Sequence, residues 1–600
     1  MKLETSKDIL KPEQLITEHI DIWTSAILAK STSGRGSSKK YELYGITKFR
    51  ELILELAVRG KLVPQDASDE PASVLIEKIA AEKAQLIKEK VIKKTKPLPL
   101  ISNNEKAFEL PQGWQWVRLN EVLNIFNGNS INARLKESKY SNVTNGLPYI
   151  GTKDVGYGFE TLNYDNGISI PYEEPKFKVA KAGSVLICAE GGSAGKKCGI
   201  TDRDICFGNK LYANEVFHKD LKSEFILMSF LSPTFFSQFS DSMTGIIGGI
   251  SMAKFSHLVI AIPPKEEQQR IIIKVDKLML LCDQLEQQTE ASIEAHATLV
   301  EVLLATLTDS ADAHELAENW ARISEHFDSL FTTEQSIKSL EKTVLQLAVM
   351  GKLVPQNSED EPASMLLEKI AEEKEQSVKE KEFRKDKLLS TIYDEEKSFQ
   401  IPQGWEWCRI DDCVACNREI SYGVIKLGAE PKIGGVPTLR CSDVKPGYID
   451  LSGVRKVSPE IEESYIRTRL QGGEVLINIR GTLGGVATVS EHLKGYNIAR
   501  EVAMIPVHES LSASYLVNTI SSKFFWDKIE ANIKGIAYKG LNLSSLRSFV
   551  IPIPPLAEQH RIVTKVDELM AICDQLKEKL QQSQETQVQL TDALVDRALG

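Results

Sequence analysis

The sequence predicts an α/β plus α architecture: two mixed α/β domains separated by a long antiparallel coiled coil, related by a pseudo-twofold internal repeat. Three observations predict it. Landmark blocks recur at a fixed offset of 291 residues. Two segments, 110–262 and 401–553, carry short apolar runs broken by Gly, Asn and Asp, the pattern of strands and turns. Each is followed by apolar residues at alternating four and three spacing, the signature of a coiled coil.

The repeat comes first, because a long period governs every local reading. Pro263-Pro264-Lys265-Glu266-Glu267-Gln268-Gln269-Arg270-Ile271 returns as Pro554-Pro555-Leu556-Ala557-Glu558-Gln559-His560-Arg561-Ile562. Gly60-Lys61-Leu62-Val63-Pro64-Gln65 with Asp69-Glu70-Pro71-Ala72-Ser73 returns as Gly351 to Gln356 with Asp360 to Ser364. Gln112-Gly113-Trp114-Gln115-Trp116 returns as Gln403-Gly404-Trp405-Glu406-Trp407.

In chain order, residues 1–109 form N-terminal helices, 110–262 the first α/β domain, 263–400 a central region with a heptad helix, 401–553 the second α/β domain, and 554–600 a C-terminal heptad helix. Ile16, Ile20, Trp23 and Ile27 predict an amphipathic helix over 12–30, and the Gly/Ser-rich 31–38 a flexible linker. Ile46, Phe49, Ile53 and Leu56 predict a helix ended by Gly60 as a left-handed cap. Pro71 opens another to about Lys90. The central stripe runs Ile271, Val275, Leu278, Cys282, Leu285, Thr289, Ser292, His296, Leu299, Leu303. The C-terminal stripe runs Ile562, Val566, Leu569, Cys573, Leu576, Leu580, Ser583, Gln587, Leu590, Leu594. Neither buries its stripe alone. The C-terminal helix plus the N-terminal helices complete one copy of what the centre holds contiguously, so the duplicated unit is circularly cut. Leu316, Trp320, Ile323, Phe327 and Leu330 predict one more amphipathic helix over 309–335.

Charge is unevenly distributed. The whole chain carries −10, but the α/β segments carry +1 and +2, leaving −13 in the helical blocks. Near-neutral modules with acidic connectors suit two DNA readers held by helices that face protein. Nine scattered cysteines fit a reducing compartment. Cys413 and Cys416 make one C-x2-C pair, with Cys408 and Cys441 as neighbours; one knuckle falls short of a structural zinc site, and no metal is expected. No run of 18 apolar residues occurs and no signal peptide is evident, so a cytoplasmic location is expected.

No catalytic motif is apparent. Gly191-Gly192-Ser193-Ala194-Gly195-Lys196-Lys197 lacks the first glycine and the terminal hydroxyl of a phosphate loop. No Asn/Asp-Pro-Pro-Tyr/Phe quartet is present to hold a flipped base. Glu372-Glu373-Lys374 sits in a Glu/Lys-rich helix, where intrahelical pairing explains it. The tryptophans at each domain entry read as packing rather than stacking platforms.

The ordered set of blocks, Ile-Pro-Pro-x-x-Glu-Gln-x-Arg-Ile above all, resembles the specificity subunit of type I restriction–modification systems, and the resemblance covers essentially the whole chain. It implies two target-recognition domains, each reading half of a split double-stranded DNA site. It also implies a coiled-coil spacer, no catalysis or cofactor in this subunit, and assembly with two methyltransferase and two restriction/translocase subunits. Those partners would supply the S-adenosylmethionine, ATP and Mg2+ chemistry. A coiled-coil scaffold with two modules for other ligands, and a self-sufficient restriction enzyme, are the rivals. For DNA contact the loops after the strands at 185–187 and 475–477 are the candidates, since glycines permit close backbone approach and cations reach phosphate or guanine. The nominated residues are Lys153, Lys196, Lys197, Asn209 and Lys210 in the first domain. In the second they are Arg440, Arg480, Thr482, Arg500, Lys534 and Lys539.

Overall fold

The computed structural model describes residues 18–29, 41–94, 99–141, 143–245, 248–311, 313–379, 391–533 and 540–599. The chain forms two compact units, Met1–Ala291 with Ser583–Gly600, and Ser292–Gln582.

In the first unit, chain entry and exit of the α/β domain are antiparallel partners: Gln115–Arg118 pairs Val259–Ile262. Between them a four-stranded antiparallel sheet runs Leu123–Asn127, Leu211–Val216, Val185–Cys188, Cys198–Ile200. A second sheet runs Ser169–Pro171, Gly146–Ile150, Ile205–Phe207, Val179–Ala180, with one parallel pair in its centre. Val185–Cys188 is buried at every residue, which is why its run is continuously apolar rather than alternating. The second unit repeats the plan. Glu406–Arg409 pairs Val550–Ile553. The sheet Ser421–Tyr422, Val502–Ile505, Val475–Asn478, Val486–Thr488 stands where the first unit has its antiparallel one. A three-stranded sheet, Arg455–Val457, Val436–Leu439, Asn497–Ile498, keeps the parallel pair.

The repeated blocks converge on one buried carboxylate per unit. Glu267 accepts Trp114 Nε1–H at 3.0 Å and Gln65 Nε2–H at 2.7 Å. Glu558 accepts Trp405 Nε1–H at 3.0 Å and Gln356 Nε2–H at 2.8 Å. Both are 1% exposed, and burial raises both carboxyl pKa values while the tryptophan and glutamine donors oppose it. The next residue caps the domain: Gln268 accepts Lys222 N–H at 3.0 Å and donates to Pro263 O at 3.2 Å, and Gln559 does the same with Ser512 and Pro554 at 2.9 Å each. Two residues further, Arg270 binds Asp69 with both Nη atoms, and Arg561 binds Asp360.

The circular cut is visible inside each unit. Lys61 Nζ donates to Leu599 O at 2.5 Å, and its repeat-equivalent Lys352 donates to Thr308 O at 2.6 Å. In the first unit the chain's C-terminal turn thus meets the N-terminal helix block. In the second, the equivalent turn precedes its partner by about one short helical segment. Gly60 caps the helix Tyr44–Val58 at φ 67°, with Lys61 N–H returning to Leu56 O at 2.9 Å; Gly351 does so at φ 68°.

Two expectations are corrected. The 12–30 helix spans only Ile20–Ser25 among the described residues. Ile27 then starts a strand, Ile27–Ala29, paired antiparallel with Tyr41–Leu43. Ile16 and the 31–38 segment lie outside the described residues. The 309–335 helix is two helices, Ala313–Glu325 and Phe327–Leu330, broken at His326 (φ −115°, ψ 18°). Its predicted face still packs inward through Ile323 and Leu330.

The long helices are Lys265–Asp309 and Leu556–Leu599. Their heptad stripes hold through Leu285 and Leu576; beyond, Val300, Leu304 and Leu307 are buried where Leu299 is 50% exposed, and Thr591 is buried where Leu590 is 47% exposed, while Leu594 is buried as its stripe predicts. A 3.5-residue stripe drifts around a straight 3.6-residue helix, and a local change of spacing resets it. The central helix contains an 18-residue window of mean hydropathy 1.2, apolar and long enough by composition to cross a bilayer. Val300, Leu304 and Leu307 instead share the core of the second unit with Ile337, Leu340 and Val344.

Each unit also holds a charged contact between its short and long helices, with the signs exchanged. Arg50 pairs Asp283 at 2.6 Å and Glu286 at 2.7 Å, whereas Glu341, at the position of Arg50, pairs Lys577, at the position of Glu286, at 2.6 Å.

Glu558→Ala leaves the buried donor Trp405 Nε1 without an acceptor and removes one of the two acceptors of Gln356 Nε2, an exposed side chain that keeps Gly351 O at 3.1 Å. Urea unfolding should show a loss of about 2–4 kcal/mol, with Trp405→Phe costing less because only one bond is removed. Arg118, 3% exposed on its side chain, grips Glu105 at 2.8 Å and holds that carboxyl down at about 2. Its folded value lies below the unfolded one of about 4.3. The stabilisation is therefore present above that pH and lost as pH falls toward 2; acid unfolding of Glu105→Gln should lack this component.

Candidate nucleic-acid interface

In the first domain the strand Val185–Cys188 runs out of its sheet into a glycine-rich loop. Its last partners are set by register: Leu211 opposite Cys188, then Ala189 N–H to Lys210 O at 2.8 Å. Glu190 next bridges Gly249 of a distant loop. These three segments enclose an open cleft of about 360 Å3 lined by Glu190, Asn209, Lys210, Tyr212, Thr244 and Ser251. Tyr212 fixes the far loop by donating to Ile250 O at 2.8 Å, and burial raises its pKa. Lys210 Nζ stands 3.9 Å from Glu190 Oε1.

Lys196 is exposed, its Nζ 5.8 Å from the centre of the Phe236 ring. Lys197 is half-buried, donates to Thr152 O at 3.3 Å and lies 4.8 Å over the Tyr157 ring. That contact brings it beside the turn Thr152–Asp154, where Lys153 is exposed. Asn209 and Lys210 are exposed on the cleft. The structure therefore gathers Asn209 and Lys210 on one cleft and joins Lys197 to the Lys153 turn.

In the second domain Arg480, Thr482 and Arg500 are exposed. Ile479 N–H donates to Glu501 O at 2.9 Å, and Arg480 bridges Gly540. Arg440 is placed differently. Its guanidinium is tied to Asp443 at 3.1 and 3.3 Å and to Gly453 O at 2.8 Å, which makes it a brace for its own loop. Lys534 and Lys539 lie outside the described residues. Glu190 and Glu501 were not nominated; strand register brings Glu190 beside Lys210 and Glu501 beside Arg480.

The domain-entry tryptophans are packing residues: Trp114 and Trp405 are nearly buried, and Trp407 packs on Phe399 and Phe524 at 5.2 and 6.0 Å. The cysteine knuckle does not close on one point. Cys413 Sγ lies 3.4 Å from Cys408 in the core, whereas Cys416 faces Glu373 at 4.0 Å. Glu373, Cys416 and His508 bring three ligand types within 4.8 Å. Ser510 N–H, however, occupies His508 Nδ1 at 3.2 Å and so places the ring proton on Nε2, 3.0 Å from Glu373. The first domain repeats this with Asp220 N–H on His218 Nδ1 and Nε2 3.9 Å from Glu82. The arrangement is a repeated hydrogen-bonded tie between helix and domain.

Two non-identical modules stand on one frame, the first with a loop cleft beside the strand Val185–Cys188. The profile of the type I restriction modification DNA specificity domain matches residues 111–295 and again 402–585. The chain belongs to that family. It is 40% identical to the type I restriction enzyme EcoEI specificity subunit of Escherichia coli, over 98% of this chain and all of the relative. It is also 40% identical, with the same coverage, to the EcoAI specificity subunit of Escherichia coli. The EcoBI specificity subunit of Escherichia coli is 23% identical over 83% of this chain and 87% of the relative. The two matched segments begin at the domain-entry Pro-Gln-Gly-Trp blocks and run into the long helices, so they include Glu267 and Glu558 with their tryptophan donors, whereas Gln65 and Gln356 lie outside them. The non-DNA scaffold reading has no support from these matches.

Proposed function

We propose that this specificity subunit reads an asymmetric, bipartite double-stranded DNA site, one half through each α/β domain, and directs partner subunits without chemistry of its own. The observation that carries the reading is the pairing of a common frame with unlike loops. The parallel pair, the entry–exit strands and the Glu clasp repeat, while the exposed residues beside Val185–Cys188 and Val475–Asn478 differ. Two unlike readers imply two unlike half-sites. Methyltransferase and restriction/translocase subunits are the partners this family role calls for. They would bring S-adenosylmethionine, ATP and Mg2+, and the complex would work in the cytoplasm. The acidic helical blocks, at −13, offer the surface for docking the methyltransferase.

Methylome sequencing of cells carrying the whole operon tests the reading. The expected outcome is adenine methylation within one motif whose two halves differ. A palindromic motif, or the same motif when this gene is deleted, would overturn it.

A further inference from the structure

The two domains can be superposed in sequence through their backbone hydrogen bonds alone. Gly208 N–H donates to Ile150 O at 2.9 Å, as Ala499 does to Leu439 O at 2.8 Å. Leu211 opposes Cys188, as Val502 opposes Asn478. Ala189 N–H reaches Lys210 O, as Ile479 N–H reaches Glu501 O. Glu190 bridges Gly249, as Arg480 bridges Gly540. Three positions are thereby matched: Glu190 with Arg480, Asn209 with Arg500, and Lys210 with Glu501. None of the three matches preserves the residue, and two reverse the charge.

We propose that these three positions are the base-reading set of each domain, with Glu190, Asn209 and Lys210 reading one half-site and Arg480, Arg500 and Glu501 the other. The inference rests on the DNA-reading function proposed above and names the residues that carry it. Three observations support base edges rather than phosphates as the ligand. Each set contains a carboxylate, which repels phosphate but accepts from the exocyclic amine of cytosine. In the first domain the set lines an open cleft of about 360 Å3, roomy enough for a base-pair edge. In the second, Arg418, Arg440, Arg455 and Arg469 each pair with a carboxylate of their own domain. Among the described residues Arg480 and Arg500 make no such pair and remain exposed. An arginine held out of internal ion pairs presents the planar fork that matches guanine O6 and N7.

The chemistry sorts the half-sites. Two guanidinium groups assign guanine contacts to the half read by the second domain. A carboxylate, an amide and an ammonium assign a mixed half to the first, with Asn209 suited to adenine N6 and N7 and Glu190 to cytosine N4.

The test uses the full-length chain and a pool of random-sequence duplex DNA, with the bound fraction sequenced for wild type, Arg480→Ala, Arg480→Lys and Glu190→Gln. Wild type should enrich a two-part motif. Arg480→Ala and Arg480→Lys should each lose preference at a G·C pair of one half, by roughly 5- to 150-fold, and leave the other half intact. Arg480→Lys keeps the charge and so should keep the salt dependence of binding. Glu190→Gln should relax a position in the opposite half only. An unchanged motif in all three variants would overturn the inference while leaving DNA reading in place. So would uniform weakening of every sequence by Arg480→Ala, with a salt slope reduced by about 1, the mark of a phosphate contact. A wild-type chain that enriches no motif would instead remove the DNA-reading function on which the inference stands.

Discussion

Everything in each unit is referred to one buried carboxylate. Glu267 and Glu558 sit in the first turn of the long helices, and each takes two donors from segments far away in sequence: a tryptophan at the domain entry and a glutamine after the short capped helix. A buried carboxylate with two such donors fixes direction as well as distance, because its oxygens accept only where lone pairs point. The adjacent Gln268 and Gln559 then fix the far side of the same domain. Entry strand, exit strand, short helix and long helix are thereby locked at one point, and the loops beyond them are free to vary. That is the physical basis for two domains of one chain that keep their blocks and differ in their loops. Burial penalises the charged form of these acids, so the donors are what make the site tolerable at neutral pH.

This geometry explains what was legible in the sequence. Gly60, Trp114, Glu267 and Arg270 each need a particular residue type for a particular bond, so duplication preserved them and the 291-residue offset exposes them. The heptads were legible as far as Leu285 and Leu576, but helix drift is cumulative and shows only in three dimensions, which is why Leu299 and Leu590 were misplaced. Ile27 has helical spacing to Trp23 yet pairs in a strand with Leu43. A nonlocal partner decided its state. The candidate site was legible as loops. It was not legible as positions, because Glu190 and Lys210 are neighbours only through the pairing of Cys188 with Leu211. Arg440 shows the converse: a cation in the right strand register whose internal partner, Asp443, is not legible from spacing.

A duplicated chain faces a further problem, since each short helix has two long-helix partners of similar apolar stripe. The apolar contacts alone discriminate poorly: Ile271, Val275, Leu278, Cys282 and Leu285 correspond one for one to Ile562, Val566, Leu569, Cys573 and Leu576. The charges discriminate. Exchanging partners would set Arg50 against Lys577 and Glu341 against Glu286, turning two attractive contacts repulsive, while the third, Arg50 with Asp283, would be replaced by Arg50 with its counterpart Asp574. Each observed contact is partly screened, with Arg50 29% exposed and Lys577 43% exposed on the side chain, and contributes on the order of 1 kcal/mol or less. The difference between right and wrong pairing counts both contacts and reverses both signs. Specificity of this kind comes from repulsion in the alternative as much as from attraction in the native pairing. The same logic of one frame with inverted charge recurs at Glu190 and Arg480. In the base-reading sets proposed above, the wrong partner to be excluded is a base pair rather than a helix.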